Sequence, residues 1–277
     1  MSEATEQSSE HPNSPSRGMG GIKQAIILAG GLGTRLRSAV PELPKCMAPV
    51  AGKPFLSYLI DNLRQQGIRK FIFALGYKSE HFEELLKTEF PESANPAPGP
   101  GMAEPDRPLS CQLSIETEPL GTGGAIKLAC QLATEGTVLV LNGDTFFGVR
   151  LDELAAFHEA QKAHCTLCLK PMENFDRYGV VELNPDHSIR HFREKQFYKA
   201  GLINGGVYAL DTARFLSASL PEKFSFEKDY LEKQEPGRRL FGLLQNGYFI
   251  DIGIPEDYAR AQTELPAVSL QPPTSFN

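Results

Sequence analysis

Three short apolar runs punctuate the first half of the chain, at residues 24–29, 70–75 and 137–141, with a weaker fourth at 111–115. Each is too short for a buried helix, and the strongest close on glycine or on Asn-Gly. They predict strands buried on both faces. Between them, residues 54–63, 80–89 and 122–132 carry apolar side chains at helical spacing, and residues 151–162 do so again. Pro54 suits the first position of its helix and Gly67 its end. The β-α-β-α order implies parallel strands joined by crossover helices. The fold class expected is α/β: a Rossmann-like, mainly parallel (mixed) sheet flanked by helices.

The second half changes character. Residues 180–183 and 189–192 alternate about an Asn-Pro-Asp-His-Ser turn and predict a hairpin, and residues 202–210 predict a further strand. A smaller mixed region thus joins the parallel half. The site is expected between them, outside the carboxyl ends of the parallel strands. The folded domain is expected at residues 22–262. Residues 1–21, rich in Ser, Glu and Pro, predict a disordered tail. The Pro-, Gly- and Ala-dense stretch at about 91–109 predicts an exposed loop insertion, and residues 263–277, with Pro266, Pro272 and Pro273, an irregular tail.

The formal charge of -6 argues against a broad nucleic-acid footprint, which needs a basic face. No apolar run approaches a membrane span, and the N-terminus lacks the apolar segment of a secretory signal. Five cysteines, an odd number, favour a reducing compartment, so the cytoplasm is expected. Cys165 and Cys168 form a lone CxxC without the second pair of a zinc site. Three apart on a strand, they point to opposite faces and read as buried thiols.

Several constellations could carry chemistry. Gly30-Gly31-Leu32-Gly33-Thr34-Arg35 follows the first strand, and Lys45 comes soon after. Successive N–H groups there can cradle phosphate, and Arg35 offers a planar fork to its oxygens. The phosphate-loop and dinucleotide fingerprints both fail, and a tight turn alone would account for the glycines. Glu118-Pro119-Leu120-Gly121-Thr122-Gly123-Gly124 repeats the theme at a neighbouring strand end. Asp144 directly follows a buried strand, where it can hold a divalent cation beside phosphates or merely cap a turn. Glu194-Lys195 would ordinarily be solvated surface charge, and Asn204-Gly205 a turn. Asp251 lies in an apolar strand, where burial is costly unless it is paired or metal-bound. It could meet Asp144 across a cleft and share one magnesium ion.

In this order, the motifs resemble the sugar nucleotidyltransferase family over about residues 22–262. The opening Leu28-Ala29-Gly30-Gly31-Leu32-Gly33-Thr34-Arg35-Leu36, followed by Pro44-Lys45, carries most of the likeness. Cys46 departs from the family's usual residue after that lysine. Residues 118–126 and 142–147 look most like the heptose 1-phosphate guanylyltransferases, with mannose 1-phosphate guanylyltransferases close beside them. The resemblance implies a nucleotide-diphospho-sugar transferase (GT-A-like) fold, Mg2+ as cofactor, and a nucleoside triphosphate and a sugar 1-phosphate as partners, for surface glycans such as lipopolysaccharide, capsule or S-layer glycan. It implies that Leu28, Ala29, Gly30, Gly31, Gly33 and Thr34 hold the nucleotide, with Glu116, Glu118, Gly121 and Thr122 near base and ribose. Arg35 would grip the leaving pyrophosphate, and Lys45 the α-phosphate. Asp144 and Asp251 would bind the metal. Glu194 would accept from sugar hydroxyls, Lys195 would hold the sugar phosphate, and Gly179 and Asn204 would line the sugar site. Two rivals are a glycosyltransferase, which would usually show Asp-x-Asp where Asn142-Gly143-Asp144 stands, and a catalytically silent paralogue.

Overall fold

Alternation inside the apolar runs decides the layers. In strand β1 (Gln24–Leu28), Ala25 and Ile27 belong to one buried cluster and Ile26 to another. After the short strands β2 (Pro49–Val50) and β3 (Lys53–Pro54) come helix α1 (Phe55–Gln65) and strand β4 (Lys70–Leu75). Phe71, Phe73 and Leu75 of β4 face the first cluster, Ile72 and Ala74 the second. A strand sandwiched in this way must be apolar on both sides, which is why it reads as a continuous run. Helix α2 (Glu80–Glu89), strand β5 (Ser110–Ile115), helix α3 (Gly121–Cys130) and strand β6 (Thr137–Asn142) complete a parallel unit in the order β6-β1-β4-β5. The computed structural model describes residues 21–30, 43–76, 80–91, 108–233 and 237–269. Most of the 1–21 tail and of the 91–109 segment lies outside the described residues.

The chain continues through β7 (Thr145–Phe147), α4 (Leu151–Ala160), β8 (Cys165–Phe175), the hairpin β9 (Val180–Leu183) and β10 (Ile189–Arg193), and the long strand β11 (Tyr198–Asp211). Helix α5 (Thr212–Ser217), a π-helical segment (Phe226–Leu231), β12 (Leu240–Leu244), β13 (Phe249–Asp251) and α6 (Pro255–Ser269) follow. Among the described residues the main sheet has nine strands: β11 runs antiparallel to β6 and extends it into the mixed half through β8, β9, β10 and β12. Helices α1, α2, α4 and α6 cover one face; α3, α5 and the π-helical segment cover the other. Cys165 and Cys168 fall into opposite clusters, as their spacing predicts; both are free thiols whose pKa burial pushes up. No helix among the described residues is long and apolar enough to cross a membrane.

Two boundaries differ from the sequence reading. β8 runs beyond its apolar start and through Pro171, because β12 pairs only with residues 165–169 and leaves the proline on an unpaired edge. The irregular tail expected from residue 263 is, up to Ser269, helix α6 with Pro266 inside it. Leu265 is fully buried and Val268 packs on the same cluster, continuing the apolar stripe begun by Ala261. A mid-helix proline costs about 3 kcal/mol, and burying one such side chain returns about 1.5–3 kcal/mol. Leu265 and Val268 together therefore offset the local penalty.

The glycines of residues 121–124 have a packing role. A Cβ on Gly121 would lie 2.6 Å from the Phe224 carbonyl oxygen, and one on Gly124 2.5 Å from that of Glu222. The chain before the π-helical segment is thus seated directly on the start of α3. Gly124→Ala is expected to lower stability by about 1–3 kcal/mol, read as a lower urea midpoint with unchanged slope. Gly136→Ala, where a Cβ meets nothing within 4 Å, should leave the midpoint within about 0.5 kcal/mol of wild type.

Candidate active site

Gly143 brings the end of β6 against the end of β1. Its N–H donates to the Leu28 carbonyl at 2.9 Å, and a Cβ there would lie 2.6 Å from that oxygen. Only glycine fits so close an approach, and the next residue, Asp144, leaves the sheet at its carboxyl edge. β7 then pairs antiparallel with β13, setting Asp251 opposite Thr145, and the Asp144 carbonyl accepts from the Ile252 N–H at 3.0 Å. This small ribbon brings together two carboxylates far apart in sequence. Lys45 reaches them from a 3-10 turn (Lys45–Met47) anchored by buried Cys46 and Met47, and its Nζ lies 3.0 Å from Asp144 Oδ2.

Asp251 is the strained member of the pair. Oδ1 accepts from the Gly253 N–H at 2.7 Å, and Oδ2 lies 3.8 Å from Arg177 Nη2. Burial raises its pKa above the ordinary 3.8, and the Asp144 charge raises it further; the Gly253 N–H, Lys45 and Arg177 offset this in part. Two hard oxygen donors crowded in this way suit a divalent cation that completes its shell with water and substrate phosphates. Among the described residues no group of three or more His, Cys, Asp or Glu side chains forms a metal cage. The donor set therefore fits a cation shared with phosphate.

The other expected residues divide into groups. Ala29 N–H donates to the Ala74 carbonyl at 2.9 Å, and a Cβ on Gly30 would lie 2.5 Å from Gly76 N, so this glycine is fixed by a neighbouring strand end. Gly31, Gly33, Thr34 and Arg35 lie outside the described residues. Glu116 accepts from the Leu120 N–H at 3.2 Å, while Glu118 is exposed. Gly121 has φ +75, a conformation that favours glycine. The Thr122 hydroxyl donates to Glu227 and accepts from the Phe226 N–H, both at 2.9 Å, so it brackets α3 to the π-helical segment. The sequence reading missed this use of Thr122, since its partners lie about a hundred residues away.

On the sugar side, a Cβ on Gly179 would strike the Arg193 carbonyl, so Gly179 lies against the Arg193–Glu194 backbone. Glu194 and Lys195 are exposed, and Tyr198 Oη donates to the Glu194 carbonyl at 2.9 Å. Asn204 sits where β11 breaks register: Nδ2 donates to Tyr208 Oη at 2.9 Å and Oδ1 accepts from the Gly206 N–H at 3.1 Å. Much of its amide is thus committed to shaping the strand. A cavity of about 870 Å³ lies elsewhere, between β10, the end of the π-helical segment and β12, and none of the expected site residues lines it.

Residues 24–267 match the family model described as nucleotidyl transferase. The chain belongs to the nucleotidyl transferase family. This transferase is 47% identical over 242 residues to D-glycero-alpha-D-manno-heptose 1-phosphate guanylyltransferase of Aneurinibacillus thermoaerophilus, covering 87% of this chain and 98% of that protein. It is 43% identical to the protein of the same name from Campylobacter jejuni, covering 85% and 96%. A mannose-1-phosphate guanyltransferase of Schizosaccharomyces pombe is 31% identical, the match spanning 85% of this chain and 62% of that one. Among solved structures, HddC from Yersinia pseudotuberculosis superposes with a TM-score of 0.71 at 34% identity, over 87% of this chain and 98% of that one. A second structure of HddC, described as complexed with GMP-PN, matches equally well at 0.71 and 33% identity.

The raised pKa of Asp251 has a thermodynamic consequence for the transferase. The folded state binds this proton more tightly than the unfolded state, so the residue's contribution is most favourable at acid pH. It is lost as pH rises through the folded pKa. In metal-free protein at neutral pH, Asp251→Asn is expected to raise the melting temperature. The gain should shrink as pH is lowered through the raised pKa at which wild-type Asp251 takes up its proton. Scanning calorimetry in chelator across pH reads both; a lower melting temperature for the variant at neutral pH would refute the account.

Proposed function

We propose that this nucleotidyl transferase joins GTP to D-glycero-α-D-manno-heptose 1-phosphate, giving the GDP-heptose and pyrophosphate. The observation that carries the reading is the Lys45–Asp144 contact beside Asp251, in a chain nearly half identical to an enzyme of that name. Mannose 1-phosphate is the second candidate acceptor, since mannose-1-phosphate guanyltransferases match nearly the whole folded chain at lower identity. Thiols outside any disulfide, with Cys46, Cys130, Cys165 and Cys168 buried, and the need for a nucleoside triphosphate favour the cytoplasm.

In this reaction a phosphate oxygen of the sugar 1-phosphate attacks the α-phosphorus in line. The bond to the bridging oxygen breaks, and pyrophosphate leaves with the electron pair. The nucleophile is already anionic near neutral pH, so no side chain need remove a proton. The protein's work is to bring two repelling phosphate groups together and neutralise them. Lys45 supplies a positive charge at the α-phosphate, Lys195 one at the sugar phosphate, and Arg35 a fork for the leaving pyrophosphate. Glu194, Gly179 and Asn204 orient the sugar. Asp144 and Asp251 would hold Mg2+, which when bound neutralises charge on the phosphates.

Product formation from a grid of triphosphates and sugar 1-phosphates (glucose, mannose, D-glycero-D-manno-heptose) tests the pairing. GTP with the heptose phosphate should give the highest kcat/KM. A mannose preference would favour the second candidate, and absence of pyrophosphate release from every pair would mark a silent paralogue. Asp144→Ala should lower kcat at least about 1,000-fold, equivalent to about 4 kcal/mol, while the fold stays intact by circular dichroism. Lys195→Ala should raise KM for the sugar phosphate about tenfold or more, as loss of a charged contact worth at least about 1.4 kcal/mol, with KM for the triphosphate nearly unchanged. Equal shifts in both KM values would remove Lys195 from the sugar-phosphate subsite.

A further inference from the structure

The two carboxylates are held by different means. Asp144 is met by a flexible ammonium, Lys45, whereas Asp251 is met by a built bracket. Arg177 stands between β8 and Gly179. Its Nη2 faces Asp251 Oδ2 at 3.8 Å, and its Nη1 donates to Asp257 Oδ2 in the first turn of α6. The Asp257 side chain is only 12% exposed, and its Oδ1 accepts from Arg260 Nη1 at 2.9 Å. Arg260 in turn grips both oxygens of Glu264 at 3.1 Å, and Glu264 accepts from Tyr248 Oη at 2.6 Å. Charges alternate along this ladder, from the site into α6 and back to the residue preceding β13.

Arg177 is fixed from two further directions. Its guanidinium lies over the Tyr178 ring at 5.5 Å, and that ring meets Phe249 of β13 edge-on at 5.8 Å. A buried carboxylate such as Asp257 needs a counterion, and a planar guanidinium offers N–H donors to two carboxylates in a fixed fork. Asp257 and Tyr178 therefore determine where Arg177 lies, and Arg177 together with the Gly253 N–H determines where Asp251 points. The next residue but one, Gly179, belongs to the sugar-side cluster.

We propose that Arg177 is a positioning residue: anchored by Asp257, it holds Asp251 in the rotamer that faces Asp144, so that cation affinity at the pair depends on a side chain that does not touch the cation. It does so from the same turn that carries Gly179, which ties the cation pair to the sugar-side cluster through two peptide bonds. The inference rests on reading Asp144 and Asp251 as the cation site.

The test compares full-length wild type, Arg177→Ala, Arg177→Lys, Asp257→Asn and Asp144→Ala. Mn2+ binding to the nucleotide-free protein is followed by electron paramagnetic resonance, with Asp144→Ala as background, alongside the Mg2+ dependence of turnover at saturating substrates. Arg177→Ala should weaken Mn2+ binding about 10–100-fold, the range seen when residues supporting a metal ligand are lost. The Mg2+ half-saturation should rise in parallel, and kcat at saturating Mg2+ should return to within about threefold of wild type, since the charges that stabilise the transition state are intact. Asp257→Asn should reproduce the effect more weakly, and Arg177→Lys should restore part of it. If Arg177→Ala fails to fold, Arg177→Lys and Asp257→Asn carry the same comparison. A lowered melting temperature with wild-type Mn2+ affinity and Mg2+ dependence would make Arg177 a structural tie only and overturn the proposal. A fall in kcat that saturating Mg2+ does not relieve, at unchanged Mn2+ affinity, would overturn it in favour of contact with substrate. If wild type and Asp144→Ala bind Mn2+ alike, the cation-site reading itself fails first, and that result is distinct from either.

Discussion

Two negative charges held side by side in a half-buried hollow are the constraint around which this molecule is arranged. Asp144 and Asp251 repel, and Asp251 also loses solvent, so neither would remain in place without a framework that leaves them no alternative. That framework is the β7–β13 ribbon with its fixed register, reinforced by the bond from Ile252 to the Asp144 carbonyl. Lys45 and Arg177 then meet the pair from opposite sides of the sequence, one before the parallel unit is built and the other after. In the proposed reaction this imbalance is put to use: the protein carries the repulsion, and a cation with phosphate ligands would relieve it.

The rest of the fold positions these groups by close backbone approaches. Gly143 rests on Leu28, Gly30 abuts Gly76, and Gly179 lies on Arg193. In each case the absence of a Cβ lets two strand ends or turns meet at a distance no other residue permits. The same reasoning adds a packing role at residues 121–124. Besides the nucleotide wall that the sequence suggests, Gly121 and Gly124 are needed to seat residues 222–224 on α3, and Thr122 is engaged by Glu227 and Phe226.

The layers were legible in the sequence for a simple reason. A strand buried on both faces must be apolar throughout, and a helix packed on it must be apolar at every third or fourth position, so residues 24–28, 70–75 and 137–141 and the helices between them declare themselves locally. The meeting of Asp144 with Asp251 was legible because each follows or ends an apolar strand. What could not be read locally depends on distant partners. Pro266 signals a break, and only the burial of Leu265 against the sheet reverses that signal. Arg177 is one charged residue among many until Asp251 and Asp257 are placed beside it. The adjoining Gly179 was the nearest hint, since it marked that turn for attention.

The separation of Asp144 and Asp251 along the chain has a bearing on biosynthesis. The strands and helices of the parallel unit are complete by Asn142, and they can collapse while later residues are still inside the ribosome. β7 must wait for β13, its pairing partner, to emerge. The carboxylate pair is therefore among the last features of the molecule to come into being, and a nascent or prematurely terminated chain holds only one of its halves.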